Sequence, residues 1–452
     1  MKPPTPSGAT ALVAELRSVV GAEHVLVEED QVASYCTDWT RRFTGRCLAV
    51  VRPATTQQVA DLLARCTAAA QPVLVQGGNT GLVGGAVPDE PELPVIISTR
   101  RLSQVGPVDQ LTGQITAQAG ATLGAVQAAA RSAGWKYGVD LAARDSASIG
   151  GTVATNAGGT QVVAYGMTRA QVVGIEAVLT DGTVLSHLGG LLKDNTGLDL
   201  AALLCGSEGT LAVITAVRLR LHRPHHATSL AMVGCASYEE ALTLMARARE
   251  QSDLMAAESI DAAGMRLASS ALGLSSPLEH QWPVVALIEV ADGGDGSGLP
   301  LTEDRDAVVA FEAADQARLW AYRERQAEAY ATLGLVHKLD VSVPLELMQD
   351  VLADLTELMT VADDVSTFGF FGHLADGNVH VEFIGPTDSA VQDAILERVA
   401  QAGGSISAEH GIGRLKARYL QLSRTPSEIA AMRAIKAAWD PQGLLNRGVL
   451  FA

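Results

Sequence analysis

The amino-acid sequence predicts an α+β protein with about two or three domains, and three observations support this fold class. Helical and strand patterns interleave along the 452 residues, and glycine clusters fall between these elements. Pro224 separates this mixed first part from a region in which helical patterns alternate with strands. The predicted division is a first domain of residues 1–222, a second of 223–425, and a C-terminal segment of 426–452.

The first domain shows a regular order of elements. Residues 54–75 have apolar residues at helical spacing and then a short apolar run, which predicts a helix followed by a strand. Residues 172–186 predict a β-hairpin around Asp181-Gly182, and residues 209–222 alternate like a strand. A glycine-rich loop directly follows the first of these strands.

The second domain is predicted to contain longer helices. Their apolar spacing places them at Tyr238–Gln251, Arg318–Thr332 and Leu345–Met359. A last helix, Pro426–Trp439, is predicted to stop before Pro441 and Gly443.

Composition limits the classes of partner. The chain is 48% hydrophobic and 18% charged, with a formal net charge of -17. Nucleic acids and anionic membranes are bound mainly through excess Lys and Arg, so neither is an expected partner. A small substrate is the better expectation. If that substrate is an anion, a local cationic pocket must oppose the acidic field.

The five cysteines are odd in number and scattered, without a C-x-x-C pair: Cys36, Cys47, Cys66, Cys205 and Cys235. This pattern indicates neither a disulfide framework nor an iron–sulfur site, and it fits a reducing cytoplasm. Charged residues interrupt the apolar stretch near the N-terminus, so no signal peptide is expected. No uncharged run is apolar enough to predict a transmembrane helix.

Three glycine clusters predict a ligand site. In "VLVQGGNTGLVGG" a strand runs into several bare backbone N–H groups that can converge on a pyrophosphate. The stretch "SASIGGTVATNAGGTQVVAYG" can lay its backbone against a large flat ligand, and "CGSEGTL" adds similar residues. The first loop matches neither the Walker motif nor the spacing of nicotinamide-binding domains. Taken alone, it is equally compatible with a tight turn between strands.

Two histidines flank a turn in "FGHLADGNVH". Asp376-Gly377 is a strong signal for a two-residue hairpin loop, which would pair His373 directly with His380. Directly opposed residues have Cβ atoms about 5 Å apart, which suits two ligands of one metal ion. The alternative is a surface hairpin that carries two histidines without a metal.

Together with "GHLADGNVH" and "SAEHGIG", the glycine clusters form five blocks in a characteristic order. Over nearly its whole length the sequence resembles the FAD-linked D-2-hydroxy acid dehydrogenases, relatives of vanillyl-alcohol oxidase that include D-lactate and D-2-hydroxyglutarate dehydrogenases. The resemblance implies a two-subdomain FAD-binding domain of the vanillyl-alcohol oxidase type and an α+β substrate (cap) domain. The C-terminal segment is then expected to return to the FAD-binding domain.

The resemblance also implies which residues bind FAD. They are Gln76, Gly77, Gly78, Asn79, Thr80, Gly81, Leu82, Ser146, Ser148, Gly150, Gly151, Thr155, Asn156, Gly158, Gly159, Glu208, Gly209 and Asn446. Relatives with covalent flavin often carry a histidine where this loop has Asn79, so noncovalent FAD is expected. Asn446-Arg447-Gly448 departs from the Asn-Pro-Gly usual in the family, which puts the contact of Asn446 in doubt.

For the chemistry, the resemblance assigns His373, His380 and Glu409 as ligands of a divalent metal, zinc with manganese or iron as alternatives. Two imidazoles and one carboxylate with open positions is a pattern typical of catalytic metals. The metal would lower the pKa of the substrate hydroxyl, and the flavin would accept the C2 hydride. His410 is the expected base and a substrate contact.

The resemblance also implies that the substrate anion contacts Arg323 and Lys338, which match cationic substrate-binding positions in the family; the alternative interpretation is ordinary surface charge. Glu382 lies two residues beyond His380 and therefore on the same face, where dicarboxylate-using relatives commonly carry Asn. Ala327 stands where those relatives often have Thr. The block pattern favours D-2-hydroxyglutarate slightly, with D-lactate or a similar D-2-hydroxy acid a close second.

Two other functions stay open on the residues alone. A metal-dependent hydrolase would use the histidines and Glu409 but leaves the glycine clusters without a role. A flavin-binding subunit that only carries electrons would use the clusters without the chemistry. The sequence also leaves open the electron acceptor, which is an electron-transfer flavoprotein, a quinone or a cytochrome, and whether the protein forms a homodimer.

Overall fold

The computed structural model describes residues 6–89, 91, 93–225, 227–301, 304–386 and 390–451. Its helices are α1 (Pro6–Val20), α2 (Glu29–Cys36), α3 (Thr56–Ala68), α4 (Leu123–Ser132), α5 (Ile149–Thr155), α6 (Val162–Tyr165), α7 (Thr168–Gln171), α8 (Leu200–Leu204), α9 (Tyr238–Gln251), α10 (Ala262–Leu272), α11 (Ala313–Glu324), α12 (Gln326–Ala331), α13 (Met348–Thr360), α14 (Ala390–Gln401), α15 (Leu420–Ser423) and α16 (Pro426–Trp439).

The strands are β1 (Val25–Leu26), β2 (Ala49–Val51), β3 (Val73–Gln76), β4 (Val95–Ser98), β5 (Gln114–Gln118), β6 (Val172–Val178), β7 (Val184–His187), β8 (Val213–Arg220), β9 (Ser229–Cys235), β10 (Asp253–Asp261), β11 (Val284–Ala291), β12 (Ala307–Ala310), β13 (Val336–Ser342), β14 (Thr367–His373) and β15 (Asn378–Ile384). Among the described residues, no helix has the length and apolar composition needed to cross a membrane.

The chain forms two compact units. Unit 1 comprises Met1–Gly158, Gly166–Pro224 and Glu409–Ala452, and unit 2 comprises Gly159–Tyr165 and His225–Ala408. Residues 409–425 therefore belong to unit 1, whereas the sequence-based division assigns them to the second domain.

Unit 1 contains two four-stranded sheets. In the first, of order β1-β2-β4-β3, the last three strands are parallel and β1 is an antiparallel edge. Helix α3 begins where the Thr55 hydroxyl accepts the Gln58 N–H, and it buries Val59, Leu62 and Leu63 in the core. This confirms the helix and strand predicted for residues 54–75.

The second sheet of unit 1 is antiparallel, in the order β5-β8-β6-β7. Strands β6 and β7 form the hairpin predicted around Asp181-Gly182, with Val178 opposite Val184. Gly182 has a φ of 88°, which glycine adopts without strain. Strand β8 confirms the strand predicted within residues 209–222.

Unit 2 is built on a seven-stranded antiparallel sheet of order β12-β9-β11-β10-β14-β15-β13. Helices α9 and α16 have the bounds predicted from the sequence. The helix predicted at Leu345–Met359 begins instead as a 3-10 turn, Leu345–Leu347, and continues as α13.

The single helix predicted at Arg318–Thr332 is wrong, because the chain forms α11 and α12 with a break at Arg325. Gln326 is fully buried there, and its side-chain amide donates to the carbonyls of Tyr322 and Gly264. The Tyr322 carbonyl would accept the Gln326 backbone N–H in a continuous helix. The buried side chain takes that acceptor instead, so the helix restarts.

The predicted register of the histidine hairpin is also wrong. Phe371, rather than His373, lies opposite His380, and a four-residue turn replaces the expected two-residue loop. The Leu374 N–H donates to Ala257 of strand β10, which holds the end of β14 against that neighbour. Because the register shifts by two residues, both imidazoles still lie on the same face. Their ring centroids are 5.5 Å apart.

Candidate functional site

The glycine loop after β3 in unit 1 packs backbone against backbone on the segment that begins α5. A Cβ added to Gly77 would lie 2.1 Å from the Ser148 hydroxyl oxygen, and one on Gly78 would lie 2.0 Å from the Ser146 carbonyl oxygen. Gly78 meets backbone that cannot yield, and a side chain at Gly77 would displace the Ser148 hydroxyl, which accepts the Gly151 N–H at the start of α5. Glycine is therefore needed at both, and it brings the first two glycine clusters into contact.

Two side chains of the loop are used to anchor it. The Gln76 amide is fully buried and donates to the carbonyls of Tyr35 and Ala86, each at 2.8 Å. Asn79 has a φ of 58°, and its amide donates to the carbonyls of Ser34 and Thr37 at 3.3 and 2.9 Å. The loop is thus tied to the end of α2, and its backbone N–H groups stay available to a ligand.

A cavity of about 360 Å³ lies beside this loop, a size in the usual range for ligand pockets. A Cβ on Gly81 would meet no atom within 4 Å, so the loop leaves space next to its backbone. The predicted cofactor residues that line the cavity are Gly77, Gly78, Asn79, Thr80, Gly81, Leu82, Ser148, Gly150, Gly151, Thr155, Gly158, Glu208, Gly209 and Asn446. Glycine backbone, apolar walls and few polar groups fit a flat dinucleotide such as FAD.

The remaining predicted cofactor residues have other positions. Gln76 and Ser146 support the loop from outside the lining, and Asn156 ends α5 with a left-handed φ of 50° and accepts the Arg169 N–H. Gly159 belongs to unit 2. The sequence interpretation missed other lining residues, among them the consecutive Leu141, Ala142 and Ala143, because a short apolar stretch carries no motif.

Glu208 is a buried carboxylate that organises the C-terminal part of the site. It accepts the backbone N–H groups of Ile412 and Gly413 at 2.9 and 2.7 Å. Burial raises the pKa of Glu208, while these two N–H groups and nearby Lys416 oppose the rise. The glutamate therefore holds the chain that follows Glu409 rather than serving as an open ligand.

Asn446 closes the same region. Its side-chain oxygen accepts the Val75 N–H at 2.9 Å, and its amide donates to the Glu208 carbonyl at 2.7 Å. Both polar groups of Asn446 are thus engaged by backbone. The residue lines the cavity mainly as a clamp between β3 and the third glycine cluster.

Glu409 and His410 line the same cavity as the glycine loops. The His410 Nε2 lies 3.7 Å from a carboxylate oxygen of Glu409. The predicted base and the predicted carboxylate ligand are therefore neighbours at the candidate flavin site of unit 1.

In unit 2, Glu258 joins two predicted site residues on the sheet. It lies opposite His373 in the register of β10 with β14, and one carboxylate oxygen is 2.5 Å from His373 Nδ1. The other oxygen accepts from Arg323 Nε at 2.5 Å. The carboxylate fixes the imidazole through Nδ1, as carboxylates do for metal-bound histidines.

Asp340 has a comparable place beside the second histidine. It is fully buried opposite His380, with its oxygen 3.8 Å from His380 Nδ1, and it accepts the Asn378 amide at 2.7 Å. The sequence interpretation missed both Glu258 and Asp340. The available signal was an acidic residue inside an otherwise apolar strand pattern, which is rare unless the carboxylate has a partner.

Lys338 and Glu382 are also opposite each other, with the ammonium 3.5 Å from a carboxylate oxygen. Only 3% of Glu382 is exposed, and its second oxygen has no hydrogen-bond partner among the described residues. Burial raises the pKa of Glu382, and the positive charges of Lys338 and Arg323 oppose the rise. Since cross-strand partners share a face, these residues lie on the face that carries the two histidines.

Arg323 reaches this face from α11 and is buried over the Phe371 ring at 4.9 Å. Its Nε donates a hydrogen bond to Glu258. The described residues supply no hydrogen-bond partner for its two terminal amino groups. Unit 2 thus brings together Arg323, Lys338, His373, His380 and Glu382. Glu409 belongs to unit 1, so the complete set of three metal ligands stays a prediction.

Two family models match the chain. A model described as FAD binding domain matches residues 47–187, and one described as FAD linked oxidases, C-terminal domain, matches residues 224–450. The mitochondrial D-2-hydroxyglutarate dehydrogenase of Bos taurus is 38% identical over 440 residues, covering 93% of this chain and 80% of the relative. The D-2-hydroxyglutarate dehydrogenase of Xanthomonas citri pv. viticola is 36% identical over 459 residues, covering 97% and 96%.

Solved structures of low sequence identity share the fold. p-Cresol methylhydroxylase with substrate bound superposes with a TM-score of 0.76 at 15% identity, covering 98% of this chain and 97% of that chain. 4-Ethylphenol oxidase from Gulosibacter chungangensis has a TM-score of 0.74 at 17% identity, covering 99% and 98%. With the match to the FAD binding domain, they confirm the predicted fold of the vanillyl-alcohol oxidase type.

Gly78→Ala tests the packing of the two glycine clusters. The added methyl group collides with the Ser146 carbonyl, so the loop must move and FAD occupancy should fall by about tenfold or more. The ratio of flavin to protein absorbance in the purified protein measures occupancy. Gly189→Ala is the matched control, because a Cβ there meets no atom within 4 Å. Equal flavin content in both variants would contradict the packing argument.

Glu258→Gln tests the buried ion pair of unit 2. Removing the charge leaves Arg323 buried without compensation, so the free energy of unfolding should fall by about 3 to 5 kcal/mol. Urea denaturation measures the change. Glu328→Gln, in the exposed pair with Arg325, is the control and should change it by less than about 1 kcal/mol. A Glu258 variant as stable as this control would show that the pair carries no such energy.

Proposed function

Because the chain belongs to the FAD-linked D-2-hydroxy acid dehydrogenase family, we propose that it oxidises a D-2-hydroxy acid to the 2-oxo acid. The FAD-dependent oxidoreductase class follows from the family itself. D-2-hydroxyglutarate is the favoured substrate, as the names of the bovine and Xanthomonas relatives suggest, with D-lactate or a similar acid second. One observation carries the proposal: His410 and Glu409 line the cavity that the glycine loops form.

The proposed division of roles follows from this cavity. FAD, when bound, accepts the hydride from C2 of the substrate. His410 takes the hydroxyl proton, and its place in the cavity lining supports that role. We propose that FAD is noncovalent, because Asn79 occupies the loop position where relatives with covalent flavin often carry histidine, and an amide cannot form that bond.

We propose that His373, His380 and Glu409 hold a divalent metal, zinc first, with manganese or iron as alternatives. The two imidazoles share one face of the unit 2 sheet, with centroids 5.5 Å apart, and Glu258 orients His373. Glu409 is the ligand that the sequence resemblance assigns. A metal of this kind supplies Lewis acidity that lowers the pKa of a bound hydroxyl.

Arg323 and Lys338 are the proposed contacts of the substrate carboxylates. The terminal amino groups of Arg323 form the planar fork that matches a carboxylate. Lys338 forms an ion pair with Glu382, and this pairing weakens the attraction of Lys338 for a substrate carboxylate. The balance between these groups sets which acid is preferred.

The proposed electron acceptor is an electron-transfer flavoprotein, a quinone or a cytochrome, and the proposed assembly is a homodimer. The cysteine pattern supports a reducing cytoplasm as the proposed location. The bovine relative, by contrast, is named as a mitochondrial protein.

The proposed reaction and its metal are tested together by anaerobic mixing of the holoenzyme with D- and L-2-hydroxy acids. We expect the D acids to bleach the flavin absorbance and the L acids to leave it unchanged. A chelator should abolish bleaching while FAD stays bound, since the ligand set and the glycine loops are different segments. Adding zinc, manganese or iron back should then restore bleaching and identify the metal.

The same experiment separates the alternatives. A metal-dependent hydrolase would lack flavin absorbance, and an electron-carrier subunit would keep its flavin oxidised with every acid. Full bleaching after complete metal removal would contradict the metal proposal alone. Flavin that remains on the chain after acid precipitation would contradict the noncovalent assignment.

Glu382→Asn tests the substrate preference. Glu382 places a nearly buried carboxylate beside Lys338, and like charges about 4 Å apart cost on the order of 4 kcal/mol in a partly shielded site. Removing the charge should raise kcat/KM for D-2-hydroxyglutarate by about tenfold or more, and change that for D-lactate little. Glu382→Asp retains the charge and serves as the control. Equal gains for both acids would show that Glu382 does not sense the second carboxylate.

A further inference from the structure

Two of the five cysteines lie side by side in unit 1. The sulfur atoms of Cys36 and Cys47 are 3.6 Å apart. A disulfide has an S–S length of about 2.05 Å, so the sulfurs need to approach each other by only about 1.5 Å. In the reduced chain both residues are thiols.

The backbone around the pair is already closed. The Gly45 N–H donates to the Cys36 carbonyl at 3.1 Å, and Thr37 pairs with Thr44 as an antiparallel bridge. The segment between the cysteines is therefore a hairpin whose ends are held together. A bond between the sulfurs cross-links residues that are adjacent and does not require the chain to refold.

The two thiols also differ from the other cysteines in chemistry. The hydrogen bond between the two thiols, with a further one to the Cys47 backbone, lowers the pKa of Cys36 despite its burial. Burial is the main cause that raises the pKa of Cys66 to about 12 and that of Cys235 to about 12, so those thiols are inert. Cys47 is half-buried, so a small oxidant can reach the pair from its side.

The pair sits at the anchor of the cofactor loop. Asn79 binds the carbonyls of Ser34 and Thr37, and Gln76 binds that of Tyr35, so the residues around Cys36 hold both ends of the loop turn. Arg100 stacks over the Tyr35 ring and donates to the carbonyls of the two glycines that follow Gln76. A bond that restricts Cys36 therefore also restricts its neighbours, whose carbonyls accept the hydrogen bonds of this loop.

We propose that Cys36 and Cys47 form a reversible disulfide when exposed to hydrogen peroxide, and that this bond strengthens the retention of FAD. The Cys36 thiol gives up its proton, its sulfur attacks one peroxide oxygen and the O–O bond breaks, and the released hydroxide takes up that proton and leaves as water, which gives a sulfenic acid. The Cys47 sulfur then attacks the Cys36 sulfur, the S–O bond breaks, and a second water leaves. Two thiols are oxidised by two electrons, and one peroxide is reduced to two waters.

The direct test is peptide mapping of the native holoenzyme. The protein is fully reduced, freed of reductant, treated with one equivalent of hydrogen peroxide, alkylated and digested with trypsin without reduction. We expect residues 18–41 and 47–65 to appear as one linked peptide, lighter by two hydrogens than the sum of its parts. Two of the five thiols should be lost, and dithiothreitol should restore them.

The effect on the cofactor is measured on the same samples. Closing a short loop should raise the melting temperature by about 5 °C and slow FAD release in dilute urea by about threefold or more. Cys47→Ala should abolish the linked peptide and both effects. Cys66→Ala, a buried cysteine of the same unit, should respond to peroxide like the unaltered protein.

Three results would overturn the proposal. One is Cys36 or Cys47 recovered as a thiol or a sulfinic acid with no linked peptide. Another is a linked peptide that forms without any change in FAD release, which would remove the connection to the loop. The third is a Cys47→Ala variant whose FAD release still responds to peroxide.

Discussion

The cofactor site of unit 1 depends on the close approach of two loops, where Gly78 meets the Ser146 backbone and Gly77 meets the Ser148 hydroxyl. Because a methyl carbon added to Gly78 would lie 2.0 Å from the Ser146 carbonyl oxygen, no side chain can separate the two loops. Their contact places the N–H groups of the first loop and the start of α5 on one cavity. Three side chains support this contact. Gln76, Asn79 and Asn446 hydrogen-bond to backbone carbonyl and N–H groups and so hold these loops in place. The site is thus made of backbone, and the side chains serve mainly to position it.

Unit 2 is organised by a different principle, in which buried charges are paired with opposite charges on neighbouring strands or on helix α11. Glu258 lies between Arg323 and His373, and Glu382 lies beside Lys338. Isolated buried charges are costly, so these pairings restrict the side chains to a few geometries. The cost of burial is offset only when every partner is present. The charged residues of such a sheet face therefore stabilise one another only when all of them are present. Together they orient the histidines and cations without the help of a flexible loop.

Much of this organisation was predictable from local signals, and the rest depended on distant partners. Apolar spacing and end signals located α9 and α16, because Thr425 and Pro426 mark a helix start without help from elsewhere.

The turn at Asp376-Gly377 was recognised, but the predicted strand register was wrong. The Leu374 N–H donates to strand β10, and no local motif reveals that neighbour. The break at Arg325 likewise follows from a buried amide contact of Gln326. Glu258 and Asp340 escaped notice because only the assembled sheet shows which carboxylate meets which histidine.

The charge balance of the unit 2 face bears on the proposed binding of an anionic substrate by an acidic protein. A net charge of -17 led to the expectation of a cationic pocket, yet each of the two cations found there has a carboxylate within 3.5 Å. Recognition therefore cannot rest on an excess of positive charge. If Arg323 and Lys338 bind the substrate as proposed, recognition rests on direction: the Arg323 fork offers hydrogen bonds along fixed lines, while the carboxylates beside it raise the cost of an anion in another orientation. A site built from opposed charges discriminates between acids by the position of their charged groups, so under the proposed roles the exchange of Glu382 should alter selectivity more than overall attraction.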